Sequence, residues 1–298
     1  MTPLVSIGLP VYNGERFVER ALDALQAQTV TEWELLVSDN GSMDATGRIV
    51  RGRAADDRRI SYQRQPVNRG AAHNFSVVVQ GASAPLFKWI SHDDEMAPTM
   101  LERLLHLREQ EPDAVLWYSP GREIDVEGRL GDVLADGLPL TQSDPAERLR
   151  QLLTTYRGSN PLFGIHDLAV LRTTRLLDDF HSADVVLLGE MALRGRFVEL
   201  DEALFHRRWE LRSTRGRDRR EVDEWFNPDS RRSHDLKMLR QFREMARSIW
   251  RAPLDGGARV RCTRALLDTW GRRYWRHMAG EMKNAVLRAA GLGRSLDY

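Results

Sequence analysis

The residues best suited to chemistry are Asp93 and Asp94, adjacent carboxylates that end the apolar run Phe87-Lys88-Trp89-Ile90 and precede a helical pattern led by Leu101, Leu104 and Leu105. Two like charges side by side repel, and both ionise readily only where a cation, a donor-rich ligand or water offsets them. A hard divalent ion such as Mg2+ or Mn2+, itself holding a phosphate, does so with oxygen ligands alone. A solvated acidic turn that caps a helix would carry the same pair with no ligand. The company the pair keeps decides between these readings.

That company is a series of strands, each ending in a polar cluster. Val5-Ser6-Ile7-Gly8-Leu9 is a β-type run broken at Pro10-Val11-Tyr12-Asn13-Gly14, after which Phe17, Val18, Ala21, Leu22 and Leu25 recur at helical spacing. Trp33 to Ser38 is a second strand, ending in the turn formers Asp39-Asn40-Gly41-Ser42-Met43-Asp44 before another helical pattern. Ile60 to Gln63 is a third, followed by Asn68-Arg69-Gly70 and a helix marked by Ala72, Phe75, Val78 and Val79. Strands alternating with helices predict an α/β fold with a mostly parallel central sheet covered on both faces. Every polar cluster follows its strand and therefore falls on one rim, where open α/β sheets bind ligands.

Further along, Ala114 to Tyr118 and Glu123 to Val126 read as strands, and residues 131–143 as a long surface loop without a period. Pro145 to Leu153 reads as a helix; Asn160 to Ile165 and Ala169 to Leu171 bring the chain back toward the sheet. Ser182 is the expected N-cap of a helix with Val185, Leu188, Met191 and Ala192 on its apolar face. Phe197 to Leu200 and Ala203 to Phe205 close the unit. From about Arg212 the texture changes to a charge-dense link at Arg215 to Arg220, and helices are expected beyond Pro228.

Formal net charge is +1 over 298 residues, but unevenly placed: residues 206–298 hold about 23 Lys+Arg against 12 Asp+Glu, so an acidic body carries a basic tail. One cysteine, Cys262, excludes an intrachain disulfide framework and fits a reducing compartment. No apolar run is long enough to span a membrane and no signal-peptide pattern opens the chain, so a cytoplasmic protein is expected, with the inner face of the membrane as a second address. The tail's apolar stripe, Leu236, Leu239, Phe242, Met245, Ala246, Ile249 and Trp250, suggests helices packed on the body with a solvated Arg face. The sharper readings are peripheral contact of these basic helices with anionic lipid, or a wall for a charged or lipid-linked acceptor. No nucleic-acid-binding module accompanies the charge, and no nucleic-acid partner is expected.

Taken in order, Val5 to Glu15, Ser38 to Asp44, Asn68-Arg69-Gly70 with Asn74, and His92-Asp93-Asp94-Glu95 resemble the successive signatures of family 2 glycosyltransferases over roughly residues 4–210. The resemblance implies the GT-A fold, with a catalytic domain over residues 1–211 and a basic helical extension over 212–298. Within the catalytic domain it implies a nucleotide-sugar half to about residue 97 and an acceptor half beyond it. It implies a hexosyltransferase-like enzyme that moves a sugar from a UDP-, GDP- or dTDP-linked donor to an acceptor hydroxyl with inversion. The reaction would depend on Mg2+ or Mn2+ and serve glycan, glycolipid or natural-product biosynthesis. By the same resemblance Pro10, Tyr12, Asn13, Glu15, Asp39, Asn40, Asn68, Arg69, Gly70 and Asn74 would line the nucleotide site. Asp93 would face ribose or donor sugar, and Asp94 would bind the metal.

Inverting displacement also needs a base, and the resemblance puts it at Asp184, at the start of a helix whose N-terminus favours the ionised form. Asp184 as a simple cap, or Glu190 as the base, are the alternatives. The sequence departs from the family pattern at Phe205 to Glu210: relatives carry a metal-site His after the Arg pair, where Glu210 stands here, while His206 precedes the arginines. Either could complete the metal site. A sugar nucleotidylyltransferase would need a Gly-rich N-terminal loop, and a dinucleotide-dependent dehydrogenase G-x-G-x-x-G; neither is present. A non-catalytic nucleotide-sugar or glycan binder would have little reason to carry Asp39, Asp94 and Asp184 together.

Overall fold

The computed structural model describes residues 2–180, 182–208 and 236–290. Strands β1 (Val5–Val11), β2 (Trp33–Asp39), β3 (Ile60–Arg64) and β4 (Leu86–Trp89) alternate with helices α1 (Val18–Gln26), α2 (Thr46–Asp56) and α3 (Ala71–Gln80). β1 pairs in parallel with β2 and β4, and β2 with β3. The carboxyl ends of all four therefore share one edge, as the strand-then-polar pattern predicts. Where α3 crosses β1, a Cβ on Gly8 would lie 2.6 Å from Val78 and 2.7 Å from the Phe87 ring. Only glycine lets helix and strand approach so closely.

After β4 come β5 (Glu95–Met96), α4 (Met100–Gln110), β6 (Ala114–Tyr118), β7 (Gly121–Ile124), β8 (Leu130–Val133), α5 (Pro145–Thr155), β9 (Ile165–Asp167) and α6 (Leu168–Arg172). Then follow α7 (Ala183–Ala192), β10 (Arg196–Glu199) and β11 (Phe205–Arg208). The main sheet runs β10-β6-β9-β4-β1-β2-β3, and within it β9 is antiparallel to both its neighbours. A second sheet, β5-β11-β7-β8, sits where the acid loop emerges. β11 pairs antiparallel with β5, so the segment 205–208 closes over residues 93–96.

The strand faces feed two cores. Val5, Ile7, Leu9, Leu35 and Val37 pack with Val18, Leu22, Leu101 and Leu104 on one side. Phe87, Trp89, Leu149, Leu152, Val186 and Met191 pack on the other. The C-terminal α8 (Lys237–Arg251), α9 (Gly256–Leu266), a π-helical turn (Leu267–Gly271) and α10 (Arg272–Ala289) join this second core. Met245, Ile249, Cys262, Leu266 and Trp270 belong to it, and side chains of this kind stabilise by roughly 1.5–3 kcal/mol each when fully buried. Cys262 is a free, buried thiol.

Four local expectations need correction. Residues 131–143 do lie mostly exposed, but not as a loop without order: 130–133 pair with β7, and from 135 to 140 exposed and buried positions alternate, with Asp136, Leu138 and Leu140 buried and Leu140 bridging Phe197. The alternation is short and one of its inward positions is an aspartate, which hid it from the sequence reading. Ala169 to Leu171 does not return to the sheet; Ile165–Asp167 does so, and the Asp167 carboxylate then accepts the Val170 N–H at 2.9 Å to start α6. Ser182 does occupy the N-cap of α7, but in the left-handed region (φ 65°) and with no hydroxyl bond to the helix. Trp250 does not share the buried stripe of α8; its ring is exposed under the Arg259 guanidinium. The link at Arg215 to Arg220 and the segment from Pro228 to residue 235 lie outside the described residues.

Candidate active site

The loops after β1, β2 and β3 are sewn together by their own polar side chains. Asn13 donates its N–H to the Ser42 hydroxyl and accepts from Met43 N–H, both at 2.9 Å. Glu15 N–H donates to Asp44, and the Glu15 carboxylate accepts Ala45 N–H at 2.8 Å, where α2 begins. Asn13 is held at φ 51°, a conformation that Asn tolerates better than most residues. The Asn40 amide donates to Asn68 Oδ1 and to the Gly70 carbonyl, and its oxygen accepts Arg69 N–H. Gly70 takes φ 85° at the mouth of α3, which a side chain would strain. Asn74 donates to the carbonyls of Val11 and Ser38, tying the ends of β1 and β2, while its Oδ1 is buried without a partner.

Asp39 closes β2 fully buried, accepting Ser42 N–H at 2.7 Å and the Tyr62 hydroxyl at 2.6 Å. Burial, with the Asp39 bond, pushes the Tyr62 phenol up to about 12. A carboxylate offers about four lone-pair positions, but the Asp39 side chain presents no exposed surface. Pro10 and Tyr12 sit at the end of β1 and just beyond it, on the same rim.

The acid loop reaches this rim and is held from below. His92 packs on Gly14, where a Cβ would come within 2.7 Å of its ring. Arg208 is buried and grips the loop: its backbone N–H donates to Asp94 Oδ1 at 2.9 Å and its Nε to the Asp93 carbonyl at 2.9 Å. Its guanidinium also bonds the Glu95 carboxylate and the Asp125 carbonyl, and lies 4.5 Å from the centre of the Phe17 ring. The Ser91 hydroxyl bonds the Asp93 carboxylate. Desolvation, reinforced by the charge of Asp93, raises the Asp94 carboxyl above the ordinary carboxylate range against the pull of Arg207 and Arg208. A buried ammonium lies below the loop: Lys88, on β4, bonds the Phe163 carbonyl, and desolvation lowers it to about 7 although Asp94 opposes the shift.

The Tyr156 hydroxyl, just after α5, donates to Asp184 Oδ2 at 2.6 Å, at the start of α7. Burial and the Asp184 charge raise this phenol well above its usual range, and Arg207 pulls it back. Arg207 itself pairs with the buried Asp136 at 2.8 Å. Glu190, six residues beyond Asp184, faces elsewhere: it accepts from Arg175 N–H, Arg175 Nε and the Ser248 hydroxyl, joining α7 to α8. Its carboxylate is committed to that joint.

These residues suit a single hard cation. Asp94 keeps one oxygen outside the Arg208 bond, and its raised pKa marks a place where added positive charge would be favourable. Among the described residues no three His, Cys, Asp or Glu side chains gather as a closed cage. Mg2+-type ions commonly bind through one or two carboxylates with phosphate oxygens completing the shell. His206 stands opposite Glu95 in the β5–β11 ladder, with burial lowering its pKa; Glu210 lies outside the described residues. Sequence reasoning noted the Arg pair at 207–208 and the run holding Lys88 but missed what they bind, and it missed Tyr156 and Asp136, which stand in no motif.

Comparison with known proteins agrees with this geometry. The glycosyl transferase family 2 model matches residues 6–173. The uncharacterized glycosyltransferase EpsJ of Bacillus subtilis is 33% identical over 110 residues, 37% of this chain and 32% of that protein. Chondroitin synthase of Pasteurella multocida is 24% identical over 210 residues, 69% of this chain and 20% of that one. The matches thus span about a third or less of these relatives' lengths. S. aureus TarS residues 1–349 in complex with UDP-GlcNAc superposes with TM-score 0.67 at 17% identity, covering 92% of this chain and 73% of that one. Mannosyltransferase PcManGT from Pyrobaculum calidifontis, in complex with GDP-Man and Mn2+, gives TM-score 0.53 at 14% identity over 97% and 87%. The sheet and its rim loops form the GT-A fold, and with more than half of its length matched by the family model the chain belongs to glycosyl transferase family 2.

Proposed function

We propose that the chain transfers a sugar from a nucleoside-diphosphate donor to an acceptor hydroxyl with inversion, in glycan, glycolipid or natural-product biosynthesis. The observation that carries the reading is the arginine pair of β11: Arg208 donates its N–H to Asp94 at 2.9 Å, while Arg207 binds Asp136 at 2.8 Å, and Asp136 lies against Gly158, two residues beyond Tyr156, the hydroxyl partner of Asp184. One strand thus links the acid loop to the segment that holds the candidate base, as a single reaction centre would require. The complexes of TarS with UDP-GlcNAc and of PcManGT with GDP-Man and Mn2+ support a UDP-, GDP- or dTDP-sugar as donor.

On this reading Asp39 accepts from the base, the loop 68–70 walls the nucleotide, and Asp93 faces ribose or sugar. Asp94, with the diphosphate, would hold Mg2+ or Mn2+, whose Lewis acidity would stabilise the charge developing on the departing diphosphate. Asp184 takes the proton of the incoming hydroxyl on the face opposite the leaving group, while Tyr156 fixes its Oδ2 and leaves Oδ1 for the substrate. Residues 1–97 make the donor half and 98–211 the acceptor half. Within the extension 212–298, α8 packs on α7 and α9 on α5, the helices next to Asp184 and Tyr156. A panel of UDP-, GDP- and dTDP-sugars, with Mn2+ or EDTA, tests this by nucleotide release. Metal-stimulated release with one base is expected; donor binding without release under any condition would make the protein a binder.

A further inference from the structure

We propose that the outer face of the C-terminal helical rod, residues 256–289, docks on an anionic lipid surface. The rod's inner face is fixed. Ala258, Cys262, Ala265, Leu266 and Trp270 are buried, the Trp270 indole donates to the Leu153 carbonyl at 3.2 Å, and the Glu281 carboxylate accepts the N–H groups of Met238 and Leu239 at the start of α8. The rod cannot turn over to hide its other side.

That other side carries Val260, Leu267, Trp275, Met282 and Val286, each 52–69% exposed. The spacing is seven, eight, seven and four. In an uninterrupted α-helix the step of eight would carry Trp275 about 80° away from Leu267. The π turn at Leu267–Gly271 lies inside that step and absorbs the additional residue. All five side chains thus stay on one line. Residues 256–287 hold seven Lys+Arg against two Asp+Glu, and one of those acids, Glu281, faces inward to cap α8. Arg264 and Arg272 flank Asp268 while remaining largely exposed.

An apolar line that includes Trp, bordered by Arg and Lys, is the composition of a helix lying in a membrane interface. A second copy fits less well, because a seam along this line would bring the arginines of two chains together. Charge complementarity therefore selects anionic lipid. The inference is independent of the transfer reaction.

Flotation of the full chain with vesicles tests it. Phosphatidylcholine vesicles containing phosphatidylglycerol should bind at least about tenfold more protein than phosphatidylcholine alone, with the difference lost at high salt. Joint replacement Trp275→Ser, Met282→Ser and Val286→Ser should lower that binding about tenfold or more with the unfolding midpoint unchanged. Arg272→Gln with Arg276→Gln should cost roughly fivefold per charge. Binding equal on both vesicle types, or indifferent to these variants, overturns the proposal. So does a dimer in solution that the triple replacement dissociates, which would give the line to a second copy.

Discussion

At the ends of β1, β2 and β3 the polar side chains bind backbone groups one loop away: Asn13 to Met43, Glu15 to Ala45, Asn40 to Gly70, Asn74 to Val11 and Ser38. In the acceptor half the pairs instead join distant segments through side chains: Tyr156 to Asp184, Arg207 to Asp136, Arg208 to Glu95. The rim at the ends of β1 to β3 is thus held by its own loops, each fixing its neighbour, whereas the part beyond it, proposed to take the acceptor, depends on a few charged contacts across the fold. A lost amide in the first region leaves other bonds in place. A lost partner in the second leaves a buried charge or an unoriented base.

The largest expected contrast lies within α7 itself. Asp184→Ala should lower the transfer rate by about a thousandfold with donor affinity retained. Glu190→Gln, at the joint to Arg175 and Ser248, should leave the rate within about twofold and lower stability by about 1–3 kcal/mol. Rates and urea unfolding of the two variants check this. The reverse pattern would move the base to Glu190.

Next in size is Arg208. Its side chain is fully buried against Glu95 and the Asp93 and Asp125 carbonyls, so Arg208→Ala strands a carboxylate and should cost about 3 kcal/mol. Donor affinity should fall with it, because the acid loop loses its hold; a variant of unchanged stability and affinity would show that the β5–β11 ladder alone shapes the loop.

Lys88 gives a pH test. Burial lowers its pKa from 10.5 to about 7, so the unfolded chain holds a proton that the folded one releases. Stability from this group is present above pH 10.5 and is lost as the pH falls toward 7. Thermal unfolding should therefore show the parent gaining up to about 5 kcal/mol over that window relative to Lys88→Met, which removes the titration. Parallel profiles would mean that the ammonium stays charged in the core.

The smallest effect expected is that of Tyr156→Phe. Without the 2.6 Å bond Asp184 loses the contact that fixes its orientation. The transfer rate should drop about tenfold at unchanged donor affinity, measured by single-turnover kinetics.

The same contrast explains what the sequence could reveal. The donor rim was legible because its motifs are local: each turn follows its own strand, and the residues that bond one another lie within a few positions of a strand end. A mostly parallel sheet followed from the β-α alternation; its strand order and the antiparallel β9 did not. Beyond residue 97 the strands at Ala114–Tyr118 and near Phe197 were legible as well as the helices, but not the contacts between them. Tyr156 and Asp184 are 28 residues apart, no farther than Asn13 from Met43, but Tyr156 follows a helix and stands in no turn motif after a strand, and Arg208 stands 113 residues from Glu95. Leu138 and Leu140 read as surface because their two-residue alternation is short and includes Asp136 on its inward face. The basic tail showed its charge but not its line of exposed apolar residues, which depends on where the π turn falls.

The central claim is that Asp94 anchors the cation that holds the donor diphosphate while Asp184 acts on the acceptor. Titration calorimetry with the nucleotide sugar, in Mn2+ and then in EDTA, on the parent, Asp184→Ala and Asp94→Ala, tests it most directly. The parent and Asp184→Ala should bind alike and lose at least about tenfold in affinity with EDTA, whereas Asp94→Ala should bind weakly and ignore Mn2+. Donor binding that neither EDTA nor Asp94→Ala changes would contradict the account.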